Sequence, residues 1–224
     1  MTAWLTALWL SAAPDAWSLP AARPCSPAAL VDLTAETTTP YRLTCRAILA
    51  RSQRIVRPIL IEGANASGAG LDCQGGAVGR PGVVTTTRQP TLAIWSRRLD
   101  AQHWSRPTDI RIENCTVHGA VRVWGMGADG GYDDLRASSR TAEHTATTQG
   151  AAPSHIALDR VTIVGTGSIP LYVGPGVTRL SLTRSTLTGR SDATAVYLDA
   201  ESAENRIANN IINVGTRREA VAVD

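Results

Sequence analysis

Four aromatic residues and two charged ones occur where a sugar chain can be held. Trp95, Trp124, Tyr172 and Tyr197, with Arg122 and Asp199 among them, follow or interrupt aliphatic pairs: Leu92/Ile94, Val121/Val123, Leu171/Val173 and Val196/Leu198. Alternate residues of a strand face opposite ways, so inward aliphatic pairs leave the residues between and after them pointing outward. That alternation lines up Ala93, Arg122, Tyr172 and Tyr197 in one file and Trp95, Trp124, Gly174 and Asp199 in the next. Sugar C–H faces pack on such rings, while Arg and Asp take the hydroxyls and carboxylates. The competing arrangement is that the long segment after Val123 folds back and buries the aromatics, because an exposed apolar patch otherwise needs a partner.

Other constellations are weaker. Asp129, Asp133 and Asp134 sit in a Gly-rich stretch, spaced to offer oxygen ligands to a cation such as Ca²⁺. They lack the alternating ligands and closing Glu of a Ca²⁺ loop, and plain solvation is the simpler role. The four His, at 103, 118, 144 and 155, show no zinc spacing, and no phosphate loop or nucleophile elbow is present. All 22 basic residues are Arg, which excludes a Lys base or Schiff base. Leu43-Thr44-Cys45 and Leu71-Asp72-Cys73 fall at matching places, which puts Cys45 and Cys73 in disulfide range. Two stacked thiols, or a Cys25–Cys45 bridge with Cys115 as a buried turn residue, are the alternatives.

The elements that must position these residues form a repeat. Leu158 to Gly165 has relatives at Ile61 to Gly68, Ile112 to Gly119, Leu182 to Gly189 and Ile207 to Gly215, each with aliphatic residues five apart and a Gly turn. One column of inward pairs runs Ile59/Ile61, Ile110/Ile112, Ile156/Leu158, Leu180/Leu182 and Asn205/Ile207. A second adds Leu43/Cys45, Leu71/Cys73 and Val221/Val223 to the four pairs named above. The outward residues of the first column, among them Asp109, Arg111, His155, Ala157, Arg179, Ser181, Glu204 and Arg206, are charged or small, as a solvated face should be. Two strand columns and a turn in 21 to 29 residues describe an all-β chain wound as a parallel solenoid.

Around this core, 1–18 reads as a signal peptide without the usual basic start, and 19–50 as a short N-terminal cap with a first coil. Ser26-Pro27 marks a helix start, though Leu30 to Leu33 also fits a strand. The solenoid occupies 51–224, with a Gly-, Ser- and Thr-rich loop over 125–153 that fills a 50-residue interval. It stops abruptly after Val221/Val223. An open last coil invites end-to-end or trimeric association. No stretch is long enough to span a bilayer, and no basic stripe suits nucleic acid. Export to the periplasm or outside the cell follows from the leader.

Over about 59–224 the pattern resembles the right-handed parallel β-helix of the pectin-lyase-like superfamily, most plainly in Ile207-Ala208-Asn209-Asn210-Ile211-Ile212. The resemblance implies an acidic polysaccharide as partner and, in its lyases, a basic residue that removes a proton beside a uronate while acids hold Ca²⁺. On this chain those roles fall to Arg122 as base, with Asp199 and Asp224 as ligands. Polygalacturonase motifs have no counterpart here. A lyase or epimerase is therefore one expectation; a non-catalytic structural or adhesive solenoid is the other, and a trimeric fibre component a third.

Overall fold

The computed structural model describes residues 22–51 and 53–224, so the leader read over 1–18 lies outside the described residues. It is all-β, with three long parallel sheets, an arrangement consistent with a parallel β-helix. Sheet 1 has seven strands: Tyr41–Arg42, Ile59–Glu62, Leu92–Trp95, Val121–Trp124, Leu171–Val173, Val196–Leu198 and Val221–Val223. Sheet 2 has six: Arg46–Ile48, Gly70–Asp72, Thr108–Glu113, Ser154–Asp159, Thr178–Thr183 and Arg206–Ala208. Sheet 3 also has six: Arg54–Ile55, Ala77–Val78, Thr116–His118, Thr162–Gly167, Thr186–Ser191 and Ile211–Gly215. The chain visits the sheets in rotation, so residues some two dozen apart become neighbours across a strand spacing.

The inward pairs make the core. Ile112, Leu158, Leu182 and Ile207 are partners in successive strands of sheet 2, and all but the last are fully buried. Val121, Leu171 and Val196 do the same in sheet 1. Each of the first five strands of sheet 3 contributes one buried aliphatic residue, Ile55, Val78, Val117, Ile163 and Leu187, and the sixth packs Ile212 and Val214 against the same core. A single apolar residue leaves no alternation to detect, which is why the segment after each sheet 2 strand reads as a turn.

The first coils are registered differently from the two-column reading. Ile59/Ile61 pairs with Leu92/Ile94 in sheet 1, and Leu71 pairs with Ile112 in sheet 2, so these two columns exchange members. The likeness of Ile61 to Gly68 to the later turns is therefore coincidental. The 50-residue interval hides no coil: Val121 pairs directly with Leu171. The segment between them carries helices α2 (Asp133–Ser138) and α3 (His144–Ala151), where a loop was expected.

Helix α1 (Pro27–Leu33) begins as its sequence predicts: the Ser26 side chain accepts from the Ala29 amide at 3.2 Å, and Pro27 needs no amide partner at the first position. Its last residue, Leu33, is buried in the core, and the Arg57 guanidinium donates to the Asp32 and Thr39 carbonyls.

The disulfides follow the register. Cys25 is bonded to Cys45 and Cys73 to Cys115, and no described cysteine is free. The Cys45–Cys73 bridge expected from matching places does not form, because Leu43/Cys45 lies beside sheet 1 whereas Leu71/Cys73 belongs with sheet 2. Ala47, not Cys45, is the partner of Leu71. Loop-closure entropy assigns ~3 kcal/mol to the first bridge and ~4 kcal/mol to the second, which close separations of 20 and 42 residues. Two disulfides suggest an oxidising, extracellular or periplasmic setting. Among the described residues no helix is long and apolar enough to cross a membrane.

Two stacks of left-handed residues shape the flanks of sheet 2. Gln74, Asn114, Arg160, Arg184 and Asn209 turn the chain from sheet 2 to sheet 3 with φ between +47° and +58°. Asp109, His155, Arg179 and Glu204 form a second stack near the start of the sheet 2 strands, with φ from +56° to +61°. None is Gly, so each position costs about 1 kcal/mol or more, set against neighbours that fix it. Next to the first stack, the Asn210 side chain accepts from the Ser185 amide and donates to the Leu182 carbonyl. Ser185 Oγ in turn accepts from the Val161 amide. Asn210 thus heads a ladder that Ser185 continues.

Candidate functional site

Register places the expected aromatic residues on the outward face of sheet 1. One file runs Leu60, Ala93, Arg122, Tyr172, Tyr197 and Ala222; the next starts Glu62, Trp95, Trp124. From Ala93 and Trp95 onward this agrees with the alternation argument. Earlier members change because the first coils shift.

The face is not uniformly open. Trp124 is 5% exposed, packed edge-on against Tyr172 at 5.4 Å and against Tyr132 of the inserted segment at 6.2 Å. A side chain at Gly174 would put its Cβ 3.0 Å from the Trp124 ring, so only Gly lets the indole lie down there. The insert folds back over the middle of the face and is pinned to it. Ser96 Oγ donates to the Ala151 carbonyl at 2.6 Å, Arg106 to the Gln149 carbonyl, and Gln149 to the Glu201 carbonyl. Gly176 allows the Thr148 backbone to approach, where a Cβ would sit 2.5 Å from its carbonyl.

Arg122 lies under this cover. It is 2% exposed, donates to the Ile169 carbonyl at 2.7 Å and stacks 5.3 Å from the centre of the Tyr172 ring. Burial lowers its pKa to about 10, which still leaves it charged at neutral pH. The guanidinium is thus enclosed by the fold rather than presented to a polymer. Asp199 is engaged as well, accepting from the Tyr172 hydroxyl and the Ala200 amide. Tyr197 repeats the pairing with Asp224 one coil later, and the two Tyr rings stack at 5.6 Å. Burial, and then the Asp199 carboxylate, push the Tyr172 hydroxyl well above its ordinary value; the Asp224 bond lifts Tyr197 to about 12. Both hydroxyls remain protonated donors.

Asp129, Asp133 and Asp134 do not converge. Asp134 accepts a two-point contact from Arg98 at 2.8 and 2.9 Å and a bond from Trp104 Nε1. The Arg98 bond holds its carboxyl below the usual range. It clasps α2 to a hairpin of Arg97–Arg98 with Trp104–Ser105. Asp129 accepts from the Gly131 amide, and Asp133 lies 3.9 Å from Arg136. No group of three or more His, Cys, Asp or Glu among the described residues is placed to hold a metal ion.

Besides the half-buried Tyr197, Trp95 also remains partly open. It is half-buried at the junction of two grooves. One, of about 500 Å³, is floored by Leu60 and Ala93 and walled by the segment from Gly79 to Thr91, with His118 at its margin. The other, of about 570 Å³, is lined by Glu62, Arg97, Arg98 and Asp129. Arg88 borders both. Burial, with Arg54 nearby, keeps His118 below its ordinary pKa, so it is neutral at pH 7. The sequence carried no signal for Arg88, which lies in a Thr- and Pro-containing connection without periodicity.

One further arrangement has the outline of a nucleophile relay. Ser138 Oγ is 2.9 Å from His144 Nδ1, and His144 Nε2 is 3.2 Å from Glu201. Ser138, however, is buried at the C-terminal end of α2, where carbonyls rather than amides face outward and no oxyanion is stabilised. The trio latches the insert to a coil. No family model, curated protein or solved structure matches the chain.

Proposed function

We propose that the protein is an exported right-handed β-helix of the pectin-lyase-like kind that binds an acidic polysaccharide along the outward face of sheet 1. The observation that carries this reading is Trp95, partly exposed where two grooves meet and flanked by Arg88. An indole face for a sugar ring beside an unburied guanidinium for a uronate is the chemistry such a ligand needs. Binding without cleavage is the form the geometry favours, since Arg122 is enclosed and Asp199 is occupied by Tyr172. Trp95→Ala should weaken binding to a uronate polymer at least tenfold in calorimetry, with the thermal midpoint nearly unchanged. Equal affinity of variant and parent removes the groove. Incubation with a panel of uronate polymers, with and without Ca²⁺, should yield no absorbance from unsaturated ends; its appearance restores the lyase reading.

A structural or adhesive solenoid is the second reading. It is favoured by the insert that covers Trp124 and leaves the middle of the face without an open cleft. Absence of binding to every acidic and neutral polymer tested selects it.

A further inference from the structure

The outward face of sheet 2 carries a second candidate site. Strand register sets Arg111, Ala157, Ser181 and Arg206 side by side in one file, and Glu113, Asp159 and Thr183 in the next. His155 stands on one flank, and Arg184 and Asn209 on the other, each with left-handed backbone. Together these residues line a trough of about 360 Å³. Small side chains of Ala157 and Ser181 form its floor, with an arginine at either end. Three strand spacings of about 4.8 Å put the two arginine Cα atoms roughly 14 Å apart.

The charges in the trough are unevenly satisfied. Glu113 is paired with Arg46 and lies 3.8 Å from Arg160. Asp159 is held by Arg160 at 2.7 Å, by Arg184 at 2.6 Å and by the Thr183 hydroxyl. Burial works to raise the Asp159 carboxyl, but these donors outweigh it and hold the carboxyl below its ordinary value. His155 Nδ1 is taken up by Asp109 at 2.6 Å, while its Nε2 is buried without a hydrogen-bond partner. Arg111 and Arg206 form no ion pair or side-chain hydrogen bond among the described residues. The acids are thus neutralised within the fold and two cations are left over.

We infer that this trough binds an oligosaccharide bearing oxyanions, carboxylate or sulfate, with one anionic group at Arg111 and another at Arg206. The ligand class rests on the acidic-glycan reading above, but the site lies on a different sheet and uses none of the same residues. Guanidinium forks match either oxyanion in two-point contacts, the Ser181 hydroxyl meets a sugar hydroxyl, and the flanking left-handed residues keep the ligand in line with the stack.

The test is calorimetric titration of the full chain with trigalacturonate in one arm and a sulfated trisaccharide in the other. It compares the parent with R111A/R206A, R111K/R206K and W95A. Because neither arginine is ion-paired, the double Ala variant should keep its circular dichroism spectrum and thermal midpoint. The expected result is a fall of tenfold or more in affinity at one of two sites in that variant, partly recovered by R111K/R206K, with W95A sparing this site. The arm that shows the loss identifies the oxyanion. Unchanged affinity and stoichiometry in R111A/R206A in both arms, with loss confined to W95A, overturns the inference and leaves the groove intact. No binding by the parent in either arm overturns both.

Discussion

The outward faces of sheets 1 and 2 are built on the same strand spacing and have opposite characters. Sheet 1 presents aromatic rings, and its middle is sealed by the protein's own insert, with Tyr132 over Trp124 and Arg122 beneath. Sheet 2 presents charges and small residues that line a trough, and residues with positive φ flank it. What a flat strand face becomes therefore depends on what the connections do. A long connection covers a face, whereas a tight left-handed corner leaves a trough open beside it.

The contrast can be broken most forcefully at Trp124. If the ring is a core residue of the closed half, Trp124→Ala should cost about 3–5 kcal/mol in denaturant unfolding, as for other buried aromatics. A loss under 1 kcal/mol, with weakened glycan binding, would return it to the ligand surface. A smaller effect is expected at Tyr172→Phe. Removing its hydroxyl leaves the Asp199 carboxylate one donor short, at a cost of about 1.5–3 kcal/mol. Since that Tyr stays protonated well into alkaline conditions, the penalty should be the same at pH 6 and pH 9.

The smallest effect sharpens the other side of the comparison. Asp159→Asn should cost about 1 kcal/mol at neutral pH, as befits a partly screened network. The Asp159 pKa is lower in the folded protein, so its contribution is complete above the unfolded value near 4 and fades as pH falls through the folded value. Parent and variant should therefore converge in stability at the acid end of a pH series. A difference that persists unchanged at pH 2 would show that packing, not charge, is what Asn disturbs.

Much of this architecture was legible in the sequence, because β-branched and aliphatic pairs at two-residue spacing cannot be satisfied except by a strand with one buried side. Leu158, Leu182 and Ile207 stack as their spacing requires. The failures have physical causes. Ile59/Ile61 and Leu71/Cys73 are pairs of the same type, and only backbone register tells which sheet each joins. Pairing Cys45 with Cys73 inherited that ambiguity. Sheet 3 escaped notice because one inward residue has no period. On the candidate site, alternation located Trp95, and the alternative that the segment after Val123 folds back describes the cover on Trp124, which Tyr132 supplies. Arg111 and Arg206 were passed over as solvated charges; in sequence they look no different from Arg160 and Arg184, and only the strand register shows which pair has acids opposite.

Several side-chain bonds join one coil to the next. Tyr172 finds Asp199, the Val161 amide finds Ser185, the Ser185 amide finds Asn210, and the Leu180 amide finds Asn205, in each case a partner 24 to 27 residues downstream. A ribosome delivers these segments in that order, so each turn of the winding stays incomplete until its successor has emerged. Maturation should trail synthesis by a constant lag of roughly one turn, advancing like a zipper from the amino end.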